Sequence, residues 1–147
     1  MNKTLLVLEI AAELQAYIQQ IENSVKRYKL ATDLDDNDTL DPEDYARQSE
    51  AAEMQLRYEQ LLRQAKEQES FLMEHNQKGY ATIVPGVLIE TEMYYIYVGI
   101  SIPSFKWEEK TVITLSEKAP AYAEMRGKKS GDTIELGAKR HKILAIS

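Results

Sequence analysis

Two stretches of this chain repeat apolar or small residues at alternating steps of four and three. Val7, Ala11, Leu14, Ile18, Ile21, Val25 and Tyr28 form the first seam; Ala51, Met54, Tyr58, Leu61, Ala65, Gln68 and Leu72 form the second. A seam of this period belongs to an amphipathic helix that must bury it against another such helix. The simplest solution is an antiparallel hairpin, with helices over about 2–31 and 42–76. Asp41 suits the N-cap of the second helix and Pro42 its first helical position. Glu43 and Asp44 favour its positive end, while Asn76 and Gly79 close it. A fold-back near Asp36 would set Ile21 opposite Ala51, Ile18 opposite Met54, Leu14 opposite Tyr58 and Ala11 opposite Leu61. Arms of roughly thirty residues would reach ~45 Å at the helical rise. A lone helix pair buries little. Phe71 and Leu72, beyond the start of the first helix, are therefore expected to dock on the carboxy-terminal part of the chain.

From Tyr80 the period shortens. Stretches 81–90, 94–100, 111–115, 133–136 and 142–146 read as strands from their β-branched and aromatic content. Pro85-Gly86, Pro103-Ser104, Gly131-Asp132 and Gly137 punctuate them. Residues 120–126 read as one short helix stopped by Gly127. The expected class is α+β: a coiled-coil hairpin over residues 1–78, then a small antiparallel sheet domain with one short helix over residues 79–147.

The segment joining the two seams, TDLDDNDTLDPED at residues 32–44, holds seven carboxylates: Asp33, Asp35, Asp36, Asp38, Asp41, Glu43 and Asp44. Residues 1–78 carry nine basic and sixteen acidic side chains, residues 79–147 nine and eight. The net charge of −6 thus belongs to the hairpin, and it opposes general binding to a phosphate backbone. A hydrophobic share of 44% beside 29% charged residues is that of a folded soluble chain. No apolar run approaches the ~20 residues that span a bilayer. Glu9 and Glu13 arrive too early for a secretory h-region. With no cysteine, disulfides and thiolate metal sites are excluded. A cytoplasmic protein without membrane association is expected.

An acidic connection between helices can be a solvated turn, or it can carry oxygen ligands to a magnesium ion, which takes only one or two carboxylates from any partner. An EF-hand is disfavoured because the stretch lacks the loop glycine and terminal spacing. His75 and His141 have no framing carboxylates, and no serine stands in a G-x-S-x-G context. Tyr94, Tyr95 and Tyr97 alternate along a strand and read as packing residues. Phe105 and Trp107 read as loop residues, either as lids on the core or as partner contacts. Arg126, Lys128, Lys129, Lys139, Arg140 and Lys142 make the last third locally basic.

Residues 119–132, APAYAEMRGKKSGD, align without a gap to a pattern that resembles the Gre transcript-cleavage factor family, S-P-x-A-x-x-L-x-G-K-x-x-G-D. Pro120, Met125 (for Leu), Gly127, Lys128, Gly131 and Asp132 carry the match. Tyr97-Val98-Gly99 is similar to the family's Y-x-I-V-G strand end. Asp33-Leu34-Asp35-Asp36-Asn37 resembles its D-L-x-E-N tip, with Asp33 and Asp36 in the two acidic places. This resemblance implies a helical hairpin followed by an FKBP-like sheet domain, with no catalytic residues of its own. It implies docking on bacterial RNA polymerase through the loop of Pro120, Tyr122, Arg126, Lys128 and Lys129. It also implies that tip acids, from Asp33, Asp35, Asp36, Asp38 and Asp41, act at the polymerase's catalytic magnesium during cleavage of backtracked RNA. No cofactor held by the isolated chain and no sequence-specific nucleic-acid binding are implied. Three departures stand out. Asp36 replaces glutamate, residues 38–42 lengthen the tip, and Ala119 and Ala123 replace the pattern's serine and arginine.

Two other readings remain open from the residues. One is a protein-interaction adaptor whose acids serve solubility. The other is a prolyl isomerase, suggested only by fold analogy.

Overall fold

The computed structural model describes residues 2–33, 41–76 and 78–147. Helix α1 spans Lys3–Thr32 and α2 spans Pro42–His75. Asn2 caps α1, its Oδ1 accepting from the Leu5 amide at 3.2 Å. Asp41 caps α2 as expected, its Oδ1 accepting from the Asp44 amide at 2.8 Å. Tertiary contacts divide the chain into two units, Leu14–Glu67 and the combination of Met1–Glu13 with Gln68–Ser147.

The unit Leu14–Glu67 is a packed helix pair. Leu14, Ile18, Ile21, Ala51 and Ala65 are its buried residues, all of them seam positions. The register differs from the expected one. Tyr58 stacks on Tyr28, with ring centroids 5.5 Å apart, and so does not oppose Leu14. Nearer the acidic segment, Gln48 Nε2 donates to the Thr32 carbonyl at 2.8 Å. The first turn and a half of α2 therefore precedes the point where the helices begin to pair. A fold-back centred on Asp36 assumed equal overhangs, and α2 has the longer one.

The other unit is built on a five-stranded sheet in the order β3-β4-β2-β1-β7, with a separate β5-β6 hairpin. The strands are β1 Leu88–Glu90, β2 Tyr94–Val98, β3 Phe105–Trp107, β4 Lys110–Leu115, β5 Thr133–Leu136, β6 Lys139–Lys142 and β7 Ala145–Ile146. Helix α3 spans Pro120–Met125. The sheet is mixed, not purely antiparallel, because β2 and β4 pair in parallel, Ile96 beside Ile113. After β2 the chain skips one strand position; the tight β3-β4 hairpin then returns into the gap, which forces β4 to run with β2.

Three further expectations are corrected. The stretch 81–90 is a strand only at its end, because Pro85 and Gly86, at φ 97°, break it. The stretch 142–146 is two strands: Ile143 bonds to the 131–132 turn before Leu144 crosses to the Glu90 carbonyl. Phe105–Trp107, read as loop, is an edge strand.

Ile89, Ile96 and Val98 of this sheet share one buried core with Ile83, Val87 and Ile143 from the connections and with Tyr122, Met125 and Ile134. The end of α2 docks on the sheet as expected. The Phe71 ring lies where a Cβ at Gly99, φ 123°, would stand, and His75 and Tyr80 crowd Gly86 in the same way. Phe71 and His75 stack at 4.1 Å. Lys3 fastens the start of α1, donating to the Lys78 carbonyl at 2.6 Å and the Gly86 carbonyl at 3.1 Å. Its ammonium lies 4.9 Å from the Tyr80 ring centroid, and partial burial holds its pKa below the usual lysine value.

Candidate functional site

The acidic connection lies between two helix ends that the chain holds together. At the close of α1, the Thr32 hydroxyl donates back to the Tyr28 carbonyl at 2.9 Å, and the Asp33 amide reaches the Lys29 carbonyl at 2.9 Å. Across from it, Gln48 of α2 bonds Thr32. The Arg27 guanidinium lies 5.3 Å from the Tyr28 ring, flanking the Tyr28–Tyr58 stack with positive charge.

The described acids of this segment play different parts. Asp41, Glu43 and Asp44 sit at the start of α2, where its dipole favours negative charge. Asp41 commits one oxygen to the cap, and Glu43 pairs with Arg47 at 2.6 Å on the exposed face. Asp33 stands at the opposite kind of end. It is exposed just past the C-terminus of α1, where a carboxylate opposes the dipole by about 0.3–1 kcal/mol, and no described residue forms an ion pair with it. Helix stability thus explains Asp41 and leaves Asp33 unexplained. Asp35, Asp36 and Asp38 lie outside the described residues. Among the described residues, no three His, Asp or Glu side chains come together as a metal site.

The expected docking loop follows α3. Pro120 occupies the first turn without a side-chain cap from Ala119. Gly127, at φ 81°, turns the chain, and its amide bonds the Ile83 carbonyl at 3.0 Å. The Lys128 carbonyl accepts from the Ile83 amide at 2.8 Å. Asp132 closes the loop by accepting the Lys129 amide on Oδ2 at 2.9 Å, and the amide of Gly131, at φ 93°, bonds the Ile143 carbonyl at 2.9 Å. The loop is thereby pinned on two sides. Pro120, Arg126 and Lys129 form its outer side, all three exposed. Lys128 is half-buried, its ammonium donating to the Thr133 carbonyl at 2.7 Å. Tyr122 is a core residue, 9% exposed, packed with Met125 and Ile134. Its main part is therefore to hold α3 to the sheet.

Sequence reasoning passed over a second polar cluster, around Tyr95. Lys110 Nζ meets Glu90 Oε1 at 2.7 Å and the Thr91 carbonyl at 2.8 Å, with both charged side chains 20% exposed. The same ammonium lies 5.0 Å from the Tyr95 ring. Nothing in residue spacing announces this cluster, because it depends on β4 lying beside β2. Tyr97 is wholly buried, and its hydroxyl has no hydrogen-bond partner among the described residues. Burial, reinforced by the neighbouring Tyr80, drives its pKa far above the usual phenol range.

No protein-family model matches the chain, and no curated protein matches it. Among solved structures, the chain is similar to GreA factor homolog 1 (Gfh1) of Thermus thermophilus, at 17% identity, covering 92% of this chain and 95% of that one, with a TM-score of 0.34. So loose a superposition assigns neither fold nor function, and the chain's own residues must carry both. No described helix is long and apolar enough to cross a membrane.

Proposed function

We propose that the chain is a Gre-like transcription elongation regulator. It binds bacterial RNA polymerase at the secondary channel, brings acids of the 33–41 connection near the polymerase's catalytic magnesium, and modulates cleavage of backtracked RNA. The chemistry belongs to the polymerase: its magnesium ions activate water and stabilise the leaving oxygen. This chain contributes carboxylates and position. What carries this reading is that the DLDDN stretch joins two helix ends held together by the Gln48–Thr32 bond. A concentrated negative charge there can enter a site that a globular surface cannot. The resemblance of residues 119–132 to the family's docking loop supports the same reading, as does the exposure of Arg126 and Lys129.

The test is RNA cleavage in a stalled, backtracked polymerase complex, with and without the chain, beside a pull-down of polymerase. Binding with an altered cleavage rate is expected. Binding with unaltered cleavage would leave an adaptor, and absence of binding would sink the proposal.

A further inference from the structure

The start of α1 is apolar on two sides. Its inner side carries Leu6, Val7 and Ile10, all buried. Leu5, Leu8 and Ala12 follow one another at steps of three and four, so they share a second face. Leu8 and Ala12 each stand two residues from Ile10, about 200° around the helix. This second face therefore points away from the buried one. Leu5 is 52% exposed and Leu8 62%, and Ala12 is exposed with them. A surface helix normally keeps its outer side polar, and a helix apolar all round belongs inside a protein. Of residues 4–12 only Glu9 is charged. One exposed leucine is ordinary; three apolar positions in register make an uncovered stripe.

The charges beside the stripe say what covers it. Glu9 and Glu13 run along one edge, four residues apart and exposed. Neither forms an ion pair with a described residue. Like charges at this spacing weaken the helix that carries them, so α1 itself gains nothing from the pair. The sole base in residues 1–13 is Lys3. Its ammonium is committed to the Lys78 and Gly86 carbonyls. A helix that lies on a membrane surface carries lysine and arginine on its polar face, where this one carries acids. A second copy laid antiparallel across Leu8 would set Glu9 against Glu9. A helix with basic flanks answers both the stripe and the acids.

We propose that the outer face of residues 5–13 is the docking site for one amphipathic helix of a partner protein. The partner's apolar stripe covers Leu5, Leu8 and Ala12, and its lysines or arginines lie along Glu9 and Glu13. The small Ala12 leaves room for a large apolar side chain between the helices. This face shares no residue with those named for polymerase cleavage, and it stands whether or not that reading does.

The experiment is an amide-resolved NMR titration of the full chain with three stapled helical peptides. One carries a leucine stripe with lysine flanks, one the same stripe with glutamine flanks, and one the lysine flanks with a serine stripe. The first should shift residues 4–13 saturably. The glutamine-flanked peptide should bind about fivefold more weakly, and the serine peptide should leave residues 4–13 unmoved. Leu5→Gln with Leu8→Gln should weaken the first peptide by about tenfold or more, at an unchanged melting temperature. Glu9→Gln with Glu13→Gln should erase the preference for lysine over glutamine flanks. Undiminished binding by the leucine double variant would overturn the proposal, as would equal binding of the two leucine peptides to the parent. So would a dimer of the full chain in sedimentation that Leu8→Gln dissociates. Binding to vesicles of phosphatidylcholine and phosphatidylglycerol that depends on Leu5 and Leu8 would overturn it in favour of a membrane surface.

Discussion

The helix pair of residues 14–67 and the sheet unit are held together by different means. In the pair, burial follows one narrow stripe: Leu14, Ile18, Ile21, Ala51 and Ala65 are buried, while Met54, Tyr58 and Leu61 stay partly open. In the sheet unit, both faces of β2 are buried, with Tyr95, Ile96, Tyr97 and Val98 in succession. Residues distant in sequence meet there through contacts that tolerate no added atom, such as Phe71 on Gly99. A stripe can slide by a turn and still bury apolar surface, whereas a ring seated on a glycine cannot. The pair is thus the adaptable region and the sheet unit the fixed one.

That contrast is most sharply broken at Gly99. A valine there would need φ near 123° and would place atoms inside the Phe71 ring. Gly99→Val should cost at least ~4 kcal/mol, combining backbone strain and overpacking, as read by urea unfolding. Tolerance of valine would show that α2 does not rest there. In the helix pair, Ile18, 4% exposed, should be sensitive to charge but less extremely. Ile18→Asp should cost about 3 kcal/mol, and an unchanged helical melt followed by circular dichroism would remove Ile18 from the seam.

Two smaller effects sharpen the comparison, with opposite signs. Tyr97→Phe deletes a buried hydroxyl that has no described partner, so it should raise stability of the sheet unit by about 1 kcal/mol. A loss instead would reveal a hydrogen bond, direct or through water. Asp41→Ala removes the N-cap of α2 and should cost about 1 kcal/mol, visible as fraying of its first turn in hydrogen exchange.

Legibility in the sequence followed the same divide. The limits of α1 and α2 were readable within a residue or two because caps and heptads are local signals: Asp41 and Pro42 stand next to what they control. The pairing register was not, since Tyr58 reaching Tyr28 depends on unequal overhangs at the connection. Thr133–Leu136 was readable as a strand between glycine turns. The parallel pairing of β2 with β4 was not, because periodicity says which face a side chain takes and nothing about which strand lies beside it. Phe105–Trp107 looked like loop because Pro103 and Ser104 precede it and charges come after it; pairing with β4 makes it a strand. For the site, composition alone drew attention to the acidic connection. The separation of Asp41 as a cap from Asp33 as an exposed carboxylate needed coordinates. The Tyr95 cluster had no sequence signal, and Tyr122, placed in the docking loop by resemblance, proved to be core.

The most direct measurement is a charge-removal series on the acidic connection, read by RNA cleavage in backtracked polymerase complexes, with polymerase affinity measured in parallel. The paired substitutions Asp33→Asn with Asp36→Asn, then Asp35→Asn with Asp38→Asn, and finally all four together keep size and polarity while removing charge. If the acids act at the polymerase magnesium, they act at contact range, where one carboxylate alters the local field by a full unit charge. Regulation of cleavage should then fall stepwise and largely vanish in the fourfold variant, while affinity changes little. A fourfold variant that binds and regulates as the parent does would show the connection to be a solvated turn and contradict the proposed function.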